Sequence, residues 1–187
     1  TNGTLISEED AEFLAAHRFA VTVSLDGSRK VNDRLRPMRG GGGSFDRVRA
    51  GLAPLGARAD RIALSARVTV TPANLDLRET VAALAALGFT SIGVSPLLTA
   101  AGGRGVLGAD DFPKLLDAMI ACGEDWLAAT LDGRAHPFAN LATALNELHS
   151  GAARSHGCGA ARDYLAVDAS GKYSACHRFV NDPLGDR

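Results

Sequence analysis

Residues 19–96 alternate short apolar runs with helix-like segments, and that alternation leaves few folds open. Phe19–Leu25, Ile62–Thr71 and Thr90–Ser95 are rich in β-branched and apolar residues and read as strands. Asp26-Gly27-Ser28, Pro72 and Pro96 close them. Before each strand lies a segment with helix punctuation. Ser7-Glu8-Glu9-Asp10 has capping-box spacing and leads into Ala11–His17. Ser44 caps a helix running to Leu55. Asp76 with Glu79 caps one that runs to Leu87 and stops at Gly88. Near-continuous apolar strands joined by helices predict a parallel sheet, hence an α/β fold. An open doubly wound sheet and a barrel both satisfy the pattern. In either, ligands sit at the carboxyl ends of the strands. Asn2, Ser24, Asp26, Thr71, Asn74 and Ser95 fall there, and ordinary turn chemistry accounts for such residues equally well.

Around this frame, residues 28–43 read as a polar, basic loop ending in four glycines, and residues 97–108 as a mobile, glycine-rich one. Gly102-Gly103-Arg104-Gly105 has the composition of a phosphate loop but not its GK[ST] ending. A long helix is expected from Asp110–Asp111 to about Thr130, with Leu115, Leu116, Met119, Ile120, Trp126 and Leu127 packing in the core. A second helix spans Phe138–His149. Last comes a hairpin, with arms Tyr164–Val167 and Tyr173–Cys176 about a turn at Ala169-Ser170-Gly171. It brings Cys176 back towards Cys158, so both thiolates can reach one metal centre. Two unrelated buried thiols fit as well. Cys122 sits inside the long helix and reads as a buried thiol. The expected domains are 1–108, a helical connection at 109–150, and 151–187.

The 187 residues suffice for one domain or slightly more. A net charge of -1 gives no broad basic surface for nucleic acid. No apolar run approaches the roughly 18 residues of a membrane span, and the first residues given do not look like a secretory signal. Three scattered cysteines do not form a disulfide framework, which suits a reducing, cytoplasmic setting. The chain opens on Thr1-Asn2-Gly3-Thr4, as though leaving a strand, and ends in a turn at Asp182-Pro183. It reads as an internal piece of a larger protein.

Three blocks fall in a familiar order: Thr1-Asn2-Gly3-Thr4; Val23-Ser24-Leu25-Asp26-Gly27; and Asn32-Asp33-Arg34-Leu35-Arg36 with Gly43-Ser44-Phe45. Together they resemble the radical S-adenosylmethionine enzymes that modify peptides. The hairpin, from Cys158-Gly159-Ala160 to Cys176-His177-Arg178-Phe179-Val180, resembles the start of their SPASM extension. The pattern is closest to the maturases of the quinohemoprotein amine dehydrogenase small subunit, which form thioether cross-links. Anaerobic sulfatase maturases are similar too, but usually carry Asp after the second cysteine and another cysteine soon after the first. Here His177 and Tyr164 stand at those positions.

The resemblance implies a partial (β/α)6 barrel, of which this chain holds strands four to six. It implies S-adenosylmethionine as cofactor. Ser24 would meet its ribose, Arg36 its carboxylate and Leu97 its adenine. A guanidinium fork suits a carboxylate and a small hydroxyl suits a sugar. Cys158 and Cys176 would ligate an auxiliary [4Fe-4S] cluster. His177 would serve as a proton acceptor or as a hydrogen-bonding neighbour of that cluster. The implied partners are a peptide or small protein-subunit substrate and a reductant such as flavodoxin or ferredoxin. The family's CxxxCxxC loop is not in this sequence, so the piece alone is expected to be inactive. Sulfatase-type oxidation, a non-catalytic peptide-binding barrel, and a small-metabolite enzyme with structural zinc are the alternatives.

Overall fold

The computed structural model describes residues 1–151, 159–176, 179 and 180. They form two compact units, Thr1–Leu145 and Asn146–Arg187. In the first, α1 (Glu8–Ala16) precedes β1 (Ala20–Ser24). Its capping box is closed: Asp10 N–H donates to Ser7 Oγ at 3.1 Å and Ser7 N–H to the Asp10 carboxylate at 2.9 Å. Next come α2 (Arg29–Leu35), α3 (Phe45–Gly56), β2 (Ala63–Val70), α4 (Leu77–Ala85) and β3 (Ser91–Pro96). The long α5 (Asp111–Leu131) and α6 (Ala139–His149) follow.

The three strands make a parallel sheet in the order β1-β2-β3, with Ser24 opposite Arg67 and Thr69 opposite Ser95. Side chains alternate across it up to Ser95, as strand geometry requires. Val21, Val23, Leu64, Ala66, Val68, Val70, Ile92 and Val94 are buried on one face. They share one core with Ala11, Ala15, Val48, Leu52, Leu55, Leu77, Leu84 and Leu115 from the helices. The other face carries Thr22, Ser24, Ser65, Arg67, Thr69, Ser91, Gly93 and Ser95, all exposed or half-buried. The strands are therefore not apolar throughout. The helices α1, α3, α4 and α5 pack on the apolar face, as in a barrel wall, while the start of α6 flanks the polar face.

Both sheet edges are engaged. The Thr1 nitrogen donates to Thr22 O, and Ser24 N–H donates to Thr1 O, both at 2.9 Å, which is one step of a parallel ladder. At β3, Ile92 N–H donates to Pro137 O at 2.7 Å. The Asn140 amide then accepts from Val94 N–H at 2.9 Å and donates to Val94 O at 3.0 Å. This one side chain acts as an extra peptide unit on the edge strand.

Three expectations need correction. Residues 29–35 are helical rather than loop. Ser44 holds the N-cap position of α3 without capping it; Asp33 Oδ1 instead accepts from Phe45 N–H at 2.8 Å. On α5, Leu115 is buried, but Leu116, Ile120 and Leu127 are 60%, 51% and 49% exposed, so half of the expected core stripe faces outward.

In the second unit, β4 (Ala166–Val167) and β5 (Tyr173–Ser174) form the antiparallel hairpin with shorter arms than expected. Asp168 Oδ1 accepts from Ser170 N–H, Ser170 Oγ and Lys172 N–H at 2.7–2.9 Å, which holds its carboxyl below the usual range. Among the described residues no helix is long and apolar enough to cross a membrane.

Candidate functional site

Six polar side chains are buried among the described residues, and five of them, Asp26, Asn32, Ser44, Thr71 and Asn74, form one network. It lies where β1 and β2 end, the end at which parallel α/β sheets bind ligands. Asp26, just after β1, is 3% exposed. Its Oδ1 accepts from Thr69 N–H at 2.9 Å and from Arg36 Nη2 at 3.1 Å. Its Oδ2 accepts from Arg36 Nε at 2.7 Å. Arg36 Nη2 also reaches Thr69 Oγ1 at 3.3 Å.

The backbone of Arg36 is held as firmly. Asn32, fully buried on α2, accepts from Asp26 N–H at 3.3 Å and donates to Ser44 Oγ at 3.0 Å. That hydroxyl donates to Arg36 O at 2.7 Å. Asn74 ties the two strand ends by donating to Asp26 O and Thr69 O at 3.2 and 3.0 Å. Every buried side-chain nitrogen and oxygen among the described residues has a partner. Buried polar groups left unpaired are costly, so a complete network of this kind rigidifies what it holds. It holds Arg36, whose side chain is still 33% exposed.

Ser24 is half-buried on the polar face, and its hydroxyl has no hydrogen-bond partner among the described residues. Leu97 is half-buried just past β3. Its N–H donates to Val70 O at 2.9 Å and its carbonyl accepts from Leu107 N–H at 3.1 Å, which leaves its side chain and one carbonyl lone pair for a ligand. Cys176 is buried, with Tyr164 Oη 3.4 Å from its sulfur. Cys158 and His177 lie outside the described residues. Among those described, no three His, Cys, Asp or Glu side chains gather in a metal-holding group.

The rim residues picked from sequence divide by role. Asp26, Thr71 and Asn74 belong to the network. Asn2 closes an exposed turn through Thr4 N–H at 3.1 Å. Ser95 accepts from Arg67 Nη1 at 3.4 Å. Arg67 lies across Gly93, where a Cβ would come 3.0 Å from Nη1. It lines a cavity of about 300 Å³ on the polar face with Thr22, Ser65, Ser91 and Asn140. The sequence reading gave Arg67 and Asn140 no role and named Asn32 only within the block Asn32-Asp33-Arg34-Leu35-Arg36. The four-residue spacing of Asn32 and Arg36 was the one available signal, since it stacks them on a helix turn.

Cys122 is inert by its surroundings. Burial foremost, with the Asp125 carboxylate adding, pushes its thiol from 9.0 up to about 11. The folded state keeps the proton, so this contribution to stability is intact below about pH 9 and is lost as pH rises towards 11. Cys122 should therefore resist iodoacetamide at pH 8 in native protein and react in urea. Rapid native labelling, located by peptide mass mapping, would contradict the assignment.

No protein-family profile matches the sequence, and no curated protein matches it. Solved structures do. "Native anSMEcpe with bound AdoMet" aligns with a TM-score of 0.77 at 19% identity, over 97% of this chain and 50% of that one. Two anSMEcpe structures with AdoMet and a peptide, Kp18Cys or Cp18Cys, align at TM-scores of 0.75 and 0.76, with 20% and 22% identity. Each is covered over 51% of its length. Over its own length the chain shares the anSMEcpe fold. It spans about half of the anSMEcpe chain.

Proposed function

We propose that this chain is part of a radical S-adenosylmethionine enzyme with a SPASM domain, and that the enzyme installs thioether cross-links in a ribosomally made peptide or protein subunit. One observation carries the reading. A guanidinium pinned at the carboxyl end of a parallel sheet stands on the same rim as an uncommitted serine hydroxyl, in a fold shared with AdoMet-bound chains. The donor set fits the cofactor. Arg36 keeps Nη1 for a carboxylate, Ser24 offers a hydroxyl to a sugar, and Leu97 offers an apolar surface to a purine. The polar wall fits the inside of a partial (β/α)6 barrel. Cys176, with Cys158, would hold an auxiliary iron–sulfur cluster, and His177 beside it would take up a proton.

When bound, the cofactor and clusters supply carbon-centred radical chemistry, which no side chain here provides. The chain's own part is to orient and enclose. Arg36 and Ser24 would hold the cofactor, and the hydroxyl-lined wall would offer the peptide backbone donors and acceptors.

The shared fold with peptide-bound anSMEcpe, an anaerobic sulfatase-maturating enzyme, favours a second reading, oxidation of a substrate Cys or Ser to formylglycine. His177 and Tyr164 favour the first. Mass spectrometry separates them in the intact enzyme, reconstituted without oxygen and supplied with AdoMet, reductant and a Cys-containing peptide. A cross-link loses two hydrogens, one from sulfur and one from carbon, and retains the sulfur. Formylglycine from cysteine is an aldehyde without the sulfur. Absence of 5′-deoxyadenosine under all conditions would defeat both.

A further inference from the structure

We propose that Asp26 is a positioning residue for the cofactor carboxylate, acting through Arg36. The inference rests on the S-adenosylmethionine reading above and adds a residue to it. Asp26 takes Nε and one N–H of Nη2, the side edge of the guanidinium, at 2.7 and 3.1 Å. That engagement is bidentate, so it fixes both the position and the direction of the group. Nη1 and the second Nη2 hydrogen form the remaining edge, and only the 3.3 Å contact with Thr69 Oγ1 draws on it. Asp26 is itself held: its carboxylate accepts from Thr69 N–H, its own N–H donates to the Asn32 side chain, and its carbonyl accepts from the Asn74 side chain.

Asp26 also lowers the net charge offered to an anion, which opposes carboxylate binding. Orientation outweighs this. Arg36 is one-third exposed, so Coulomb terms are screened, whereas a freed arginine side chain must surrender its rotamer freedom on binding. An asparagine at position 26 cannot reproduce the arrangement. With its oxygen in the Oδ1 place it keeps Thr69 N–H and Arg36 Nη2 but turns an amide donor on Arg36 Nε–H; flipped, it serves Nε alone and turns that donor on the other two.

The test uses the intact protein and two ligands. AdoMet carries the carboxylate; 5′-methylthioadenosine lacks the whole amino-acid part. For Asp26→Asn, AdoMet affinity should fall about tenfold, in line with loss of a charge-assisted hydrogen bond, while methylthioadenosine affinity stays within twofold. In an Arg36→Gln background, Asp26→Asn should have no further effect on AdoMet. Unchanged or tighter AdoMet binding by Asp26→Asn, equal losses for both ligands, or additive losses in the double variant would overturn the proposal. Wild-type protein that binds neither ligand would instead overturn the cofactor reading itself.

Discussion

Gly51→Val should be the most damaging single substitution in the first unit. α3 crosses the Gly3 loop so closely that a Cβ on Gly51 would stand 2.2 Å from Gly3 O. The obstacle is backbone, which cannot swing aside as a side-chain tip can. Gly3 is no freer to retreat: it is buried at φ +72°, and a Cβ there would stand 2.8 Å from Val23 Cγ1. Adding three carbons at position 51 forces the helix off the sheet, and about 3 kcal/mol or more should be lost. Gly56→Ala is the control. It sits in the same helix, a Cβ there would meet nothing within 4 Å, and the change should be neutral or slightly stabilising. Urea midpoints by circular dichroism decide it; similar midpoints for Gly51→Val and wild type would refute the close approach.

Asn32→Ala should cost nearly as much for a different reason. Asn32 is wholly buried, and its amide serves Asp26 N–H on one side and Ser44 Oγ on the other. Alanine leaves both partners short of a bond and a small void beside them, about 3 kcal/mol in all. The damage should be local first. Amide exchange across residues 29–36 should quicken more than across β2, because α2 loses the tie that seats it against the end of β1. The exposed Asn2→Ala, which removes two surface turn bonds from Thr4, should stay within about 0.5 kcal/mol of wild type. Equal protection of α2 in Asn32→Ala and wild type would refute the role given to this amide.

The strands could be read from sequence because each is a β-branched run ended by Gly or Pro, signals that act locally. α2 could not. Arg29-Lys30-Val31-Asn32-Asp33-Arg34-Leu35 has no apolar stripe, and its seat is made by polar bonds with residues up to 17 positions away. The one-sided layering was hidden for a related reason. Thr22, Ser65 and Thr69 sit inside the apolar runs, and threonine favours strands much as valine does, so the runs read as continuous although these residues face the other way. Arg36 was picked by resemblance alone, whereas Ser24 was also marked as a rim residue by its place at the end of a strand. Asp26 was marked as a rim residue, but its pairing with Arg36 follows from the turn of α2, which brings together residues 10 apart. On α5, Leu116, Ile120 and Leu127 have helical spacing and good hydropathy, yet nothing in spacing tells an inward stripe from an outward one.

The period-two alternation of the sheet has an evolutionary consequence. Val23, Leu64 and Ile92 answer to packing, while Thr22, Ser65 and Ser91, their neighbours on the opposite side, answer to whatever occupies the hollow. Selection can therefore rewrite the inner lining one strand position at a time, leaving the hydrophobic backing untouched, and so retarget a lineage without first rescuing its stability.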